Sequence, residues 1–139
     1  MAAVLADTSA WVEYDRATGS PVDRRLRALI AADGPVAVTE PVVAEVLAGA
    51  RDDRRERDLR RLLDRFDLLP VDAPVDFDGA VHVYRSCRRV GVTPRGLLDC
   101  MIASVALRTG ATVLAHDADL ARIARVVPLR LDGASLQPG

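Results

Sequence analysis

Short apolar runs alternate with helix-length segments along this chain, and that alternation constrains its fold more than any other feature. Residues 4–6, 36–39 and 112–116 are strand-length and apolar, and residues 68–71 and 127–131 are shorter or broken versions of the same pattern. Strands covered on both faces read as continuous Val, Leu and Ala runs rather than as alternating ones. Between them, apolar residues recur three and four apart, as in Leu26, Leu29 and Ile30, in Val42, Val43, Val46 and Leu47, and in Leu98, Met101, Ile102 and Val105. That spacing marks one face of a helix. Strand and helix in turn predict an α/β fold with a mainly parallel, doubly wound sheet of about five strands.

Local signals punctuate the pattern. Gly19-Ser20-Pro21, Asp33-Gly34-Pro35 and Gly91-Val92-Thr93-Pro94 mark turns, Thr39 before Glu40-Pro41 reads as a helix N-cap, and Gly110 closes the helix that carries Met101. Thr8 or Ser9 is the expected cap of the first helix. No repeat and no break in composition appears, so residues 1–132 are expected to form one domain and residues 133–139 a frayed tail. A chain of 139 residues can bury a sizeable core. With only 4% aromatics, that core must be built from Val, Leu, Ile and Ala.

Charge and cysteine usage remove whole classes of chemistry. The 19 basic residues are all arginine, which excludes a P-loop lysine, a Schiff-base lysine and the lysine of receiver domains. A net charge of −1 gives no electrostatic hint of a partner. Cys87 and Cys100 have neither zinc nor redox spacing and fit free thiols in a reducing compartment. No run approaches the roughly 20 apolar residues that span a bilayer, and the start lacks a basic leader. A cytoplasmic protein without a membrane partner is expected.

Five acids break the apolar pattern. Asp7 ends the first strand, Glu45 sits among valines in mid-helix, Asp99 lies in the first turns of an apolar helix, and Asp117 and Asp119 follow the strand at residues 112–116. In a parallel sheet, the C-terminal ends of strands and the N-terminal turns of the next helices share one edge, where ligands bind. Each acid alone has a plainer reading as a helix cap, a dipole partner or a turn residue. Together they form a cluster that cannot stay ionised unaided, because burial and like charge raise carboxylate pKa values. An all-oxygen set of this kind suits Mg²⁺ or Mn²⁺, and the lack of His or Cys in it disfavours zinc. Three of these acids are assigned to the metal by this reasoning, namely Asp7, Asp99 and Asp117. Glu45 is a ligand or the group that orients a water.

The stretches Val4-Leu5-Ala6-Asp7-Thr8-Ser9-Ala10, Pro41-Val42-Val43-Ala44-Glu45-Val46, Leu98-Asp99-Cys100-Met101-Ile102-Ala103 and Val113-Leu114-Ala115-His116-Asp117-Ala118-Asp119-Leu120 carry a resemblance. In this order they resemble the PIN-domain ribonucleases, in particular the VapC toxins of type II toxin–antitoxin pairs. The resemblance implies a Rossmann-like α/β/α sandwich with metal held by Asp7, Glu45, Asp99 and Asp117. It further implies Asp119 as a fifth metal-binding acid and a site-orienting hydroxyl at Ser9, with Thr8 beside it. It implies cleavage of RNA, tRNA or another structured RNA among the targets, a VapB-type antitoxin and a homodimer. His116 departs from the Thr or Ser common at that position.

Arg88, Arg89 and Arg95 are the expected RNA phosphate contacts, since few acids lie near them in sequence. The arginines of residues 51–65 are interleaved with acids and read instead as a solvated helix. Only His82 and His116 are present, which argues against a metal-free ribonuclease built on two histidines. Two other classes remain open at this point. A Mg²⁺-dependent phosphatase would need an Asp-x-Asp pair that Asp7-Thr8-Ser9 lacks, and a catalytically silent binding module would tolerate gaps that this acid set does not show.

Overall fold

The computed structural model describes residues 2–136. Eleven elements follow one another: β1 (Val4–Ala6), α1 (Thr8–Asp15), α2 (Pro21–Ala31), β2 (Val36–Val38), α3 (Glu40–Ala48), α4 (Asp53–Leu63), β3 (Asp67–Leu68), α5 (Ala73–Arg89), α6 (Leu97–Thr109), β4 (Thr112–Leu114) and α7 (Ala118–Ile123). The sheet is entirely parallel in the order β3-β2-β1-β4, with Val4 opposite both Val36 and Thr112. From β1 the chain steps outward to β2 and β3, then crosses back over β1 to reach β4. Right-handed crossovers place helices made before and after that reversal on opposite faces. The reversal leaves a crevice between the C-terminal ends of β1 and β4, the place where such sheets bind ligands.

The sheet has four strands, not about five. The run near residue 129 pairs only through an isolated bridge between Val113 and Leu131. Pro128 has no N–H to donate in that run, and the bridge rests on Val113 N–H to Arg130 O and Asp132 N–H to Val113 O. The expected fraying from Gly133 also fails for residues 133–136. Ser135 is buried, its hydroxyl bonds the carbonyl of Val113 and the N–H of Ala115, and Leu136 N–H bonds Ala115 O. Residues 137–139 lie outside the described part.

The core is aliphatic, as the composition demands, and α6 is its axis. Seven successive residues of α6, Cys100 to Ala106, are buried. Gly110 ends the helix in the left-handed conformation, φ +73°, which favours glycine. Helix α5 lies against α6 closely enough that a Cβ at Gly79 would fall 2.1 Å from Ser104 Oγ. A buried ion pair fastens the two helices. Asp76, fully buried, accepts from Arg108 at 2.9 Å, from Ser104 Oγ at 2.9 Å and from Asp72 N–H at 2.8 Å. Burial pushes the Asp76 carboxyl up, but these donors outweigh it and hold the group below the ordinary carboxylate range. Cys87 and Cys100 are free and buried. No helix among the described residues is long and apolar enough to cross a membrane.

Candidate metal centre

Asp7 stands where β1 ends, at the crevice. Its N–H donates to Leu114 O at 3.0 Å, which ties the end of β1 to the end of β4. Its backbone is extended (φ −72°, ψ 162°), and its own carboxylate caps α1, with Oδ2 accepting from Ser9 N–H at 3.1 Å. The cap is therefore Asp7, not Thr8 or Ser9. Thr8 is already helical, and the Ser9 hydroxyl serves the acid instead, donating to Oδ2 at 2.6 Å. The same Ser9 Oγ accepts from His116 N–H at 2.9 Å, so the loop after β4 is anchored to the cap. Thr39, the expected side-chain cap of α3, occupies that position without a cap bond, and its buried Oγ1 has no partner.

The other acids arrive from three directions. Asp99 is the third residue of α6, partly buried, and Asp117 caps α7 by accepting from Asp119 N–H at 2.6 Å. Carboxylate oxygens of Asp99, Asp117 and Asp119 lie within 4.8 Å of one another. Glu45 is exposed on α3, and its Oε1 accepts from Thr8 Oγ1 at 2.7 Å. The sequence reading had the residues of this tie but not the contact, which only tertiary packing of α1 on α3 creates.

Burial and neighbouring acids raise two of these carboxyls. Asp99 is pushed up to about 7, first by burial and then by the negative charges of Asp117, Asp7, Asp119 and Glu45. Asp7 rises to about 6, again chiefly by burial, with the two bonds from Ser9 pulling the other way and Asp117 adding repulsion. Two carboxyls pushed up by burial and by neighbouring acids, in a set without His or Cys, fit a hard divalent cation. Such an ion supplies the charge that this edge lacks and takes oxygen ligands.

Basic residues flank the cluster on two sides. Asp119 is buried and paired with both Arg95 and Arg122. On the Glu45 side a groove of about 600 Å³ opens between α1, α3 and α4, with Trp11, Val46 and Leu59 as apolar lining and Arg16, Arg51 and Arg55 as basic lining. Trp11 is buried against Phe66 and Tyr14, and its Nε1 has no partner. In α4 itself Arg60 pairs with Glu56 and Arg61 with Asp58, while Arg55 pairs with Asp15 of α1. Arg88 and Arg89 are exposed in the last turn of α5. His116 is exposed, and its Nε2 lies 3.8 Å from Glu13 Oε1.

Comparison with known proteins identifies the family and the fold. Residues 4–126 match the family model of the PIN domain. The chain is 44% identical over 128 residues to ribonuclease VapC11 of Mycobacterium tuberculosis, covering 91% of this chain and 96% of the relative. Among solved structures, DNA-bound VapBC from Salmonella typhimurium superposes with a TM-score of 0.74 at 19% identity, covering 95% of this chain and 98% of the other. A toxin–antitoxin complex from Klebsiella pneumoniae does so with a TM-score of 0.68 at 18% identity, covering 99% and 98%. At those identities the structures speak for the fold.

Proposed function

The chain belongs to the PIN-domain family, and on that premise we propose that it is a metal-dependent endoribonuclease of the VapC type, the toxin of a toxin–antitoxin pair. The observation that carries the reading is the convergence of Asp7, Glu45, Asp117 and Asp119 on Asp99, from separate segments of the chain, at the crevice of a parallel sheet. In this reading Asp7, Asp99 and Asp117 hold Mg²⁺ or Mn²⁺. The cation supplies positive charge at the phosphate and makes a water acidic enough to attack at neutral pH.

The chain's own residues do the rest. Ser9 holds the Asp7 carboxylate in place through Oδ2. Thr8 fixes one oxygen of Glu45, so the other is free to orient the attacking water or take its proton. Attack by water leaves a 5′-phosphate, unlike attack by a ribose 2′-hydroxyl. Arg88, Arg89 and Arg95 are assigned to backbone phosphates of the RNA. The partners that go with this reading are a VapB-type antitoxin and a second copy of the chain. For the antitoxin, the groove beside Glu45 offers an apolar lining with arginines, and an occupant there would also cover Glu45. For the second copy, Phe77 and Val81 leave an exposed apolar stripe one turn long on α5.

The test is cleavage of RNA in Mn²⁺, in Mg²⁺ and in excess chelator, with a generic phosphomonoester assayed alongside. RNA should be cut only with a cation, the new ends should carry 5′-phosphate, and the phosphomonoester should survive. Asp99→Asn should abolish cleavage with the fold intact by circular dichroism. Full activity in that variant, or in chelator, overturns the mechanism.

A further inference from the structure

Asp119 is the fifth acid of the cluster, yet its carboxylate is already engaged on both oxygens. Oδ1 accepts from Arg122 Nη1 at 2.7 Å, and Oδ2 accepts from Arg95 Nε at 3.1 Å and from Arg95 N–H at 3.3 Å. Arg122 lies three residues along α7 and Arg95 in the loop before α6, so one buried carboxylate gathers cations from two segments. Among the described residues, these two arginines are the only ones in an ion pair with any of the five acids.

The two guanidinium groups are held but not hidden. The Arg95 side chain is 83% exposed and the Arg122 side chain 52%, against 5% for Asp119. Arg95 uses only Nε of its guanidinium and Arg122 only Nη1, which leaves most donors of each fork facing solvent. An exposed arginine with no task is normally left free to sample many rotamers, because surface pairing stabilises little. Here a buried acid fixes two of them beside the oxygens of Asp99 and Asp117.

A polyanionic strand needs such cations here. Five carboxylates repel a phosphodiester, and one divalent ion offsets only part of that charge. Guanidinium forks match phosphate oxygens in geometry and keep their charge at every working pH. We propose that Asp119 is a positioning residue rather than a metal ligand, and that it holds Arg95 and Arg122 as a two-pronged clamp for an RNA backbone phosphate next to the cleaved bond. This rests on the nuclease reading above, and it adds Arg122, which nothing in the chain order singled out.

Three measurements on the full-length chain test it. Titration with Mn²⁺ alone should give Asp119→Asn an affinity within about two-fold of the unaltered protein, whereas Asp99→Asn should lose binding. For a mixed-sequence single-stranded RNA oligonucleotide, Arg95→Ala and Arg122→Ala should each raise KM several-fold with kcat little changed. Each should also flatten the salt dependence of RNA binding by about 0.7 in the log–log slope, the value for one lost phosphate contact on a single strand. Asp119→Asn should likewise raise KM with kcat little changed, because both arginines lose the carboxylate that holds them in place. A ten-fold loss of Mn²⁺ affinity in Asp119→Asn makes Asp119 a ligand and overturns the proposal. Unchanged KM and salt slope in both arginine variants, which are exposed enough to fold, overturn the clamp. If the unaltered protein cuts no RNA at all, the nuclease reading fails instead, and the Mn²⁺ titration still decides the role of Asp119.

Discussion

Replacing Asp7 by asparagine separates two roles that its carboxylate combines. As a cap it bonds the start of α1, and as a buried acid it is held away from its ionised form. Asparagine caps helices as well as aspartate does, so the cap survives the substitution. The acid does not. A rise from the ordinary 3.8 to about 6 costs folding up to about 3 kcal/mol once the group ionises, at about 1.4 kcal/mol per pH unit. Because its folded-state pKa is raised, Asp7 costs the fold nothing below pH 3.8 and takes away stability as pH climbs through about 6. Without metal, Asp7→Asn should therefore match the unaltered protein near pH 4, pull ahead between there and pH 6, and keep a constant lead above. For a domain of this size the lead is roughly 6–10 °C in melting midpoint. Divalent cation should narrow or reverse it, since 100 Kd of a ligand adds about 2.7 kcal/mol to the protein that binds it. Thermal melts by circular dichroism at pH 4, 6 and 8, in chelator and then in Mn²⁺, read all of this. A variant less stable than the unaltered protein at pH 8 in chelator would mean that the ionised Asp7 carboxylate stabilises the fold, and the reasoning would fail.

Ser9→Ala removes the 2.6 Å bond to Asp7 Oδ2 and should move the acid limb of Mn²⁺ binding up by about one pH unit, because a hydrogen bond to a charged group contributes roughly 1.5 kcal/mol; an unmoved limb would show that the hydroxyl does not tune the acid. Asp76→Ala strips Arg108 of its buried partner and should cost about 3 kcal/mol in urea unfolding. Mn²⁺ affinity of the folded protein should stay as it was, since the pair lies more than one turn along α6 from Asp99.

The acids were legible in the chain because each interrupts an apolar pattern, and because a parallel sheet collects strand ends and helix starts on one edge. Asp7, Glu45, Asp99, Asp117 and Asp119 stand out for that reason, and all five lie in the stretches that carry the PIN-domain resemblance. What escaped were contacts decided by tertiary placement. Three adjacent polar residues compete to cap α1, and the winner depends on which one still has extended backbone, which composition does not encode. Ser135 looks like tail in sequence, and it is its bonds to Val113 and Ala115, some twenty residues back, that hold it down. Pro128 was visible, and it explains why the last apolar run makes a single bridge instead of a fifth strand. The pairing of Arg95 with Asp119 joins a loop to a helix that follows it by more than twenty residues, and no local pattern announces it.

The strand order has a consequence for the chain while it is being made. β1 emerges first, and its second neighbour in the sheet, β4, is translated more than a hundred residues later. Until then one edge of β1 has no ladder partner, Asp7 has no Leu114 carbonyl to anchor it, and Ser9 has no loop to hold. The acids of β1 and α3 meet Asp117 only through β4 and the turn that follows it. Domains fold as units during synthesis, so a partly made chain on the ribosome carries an incomplete set of acids.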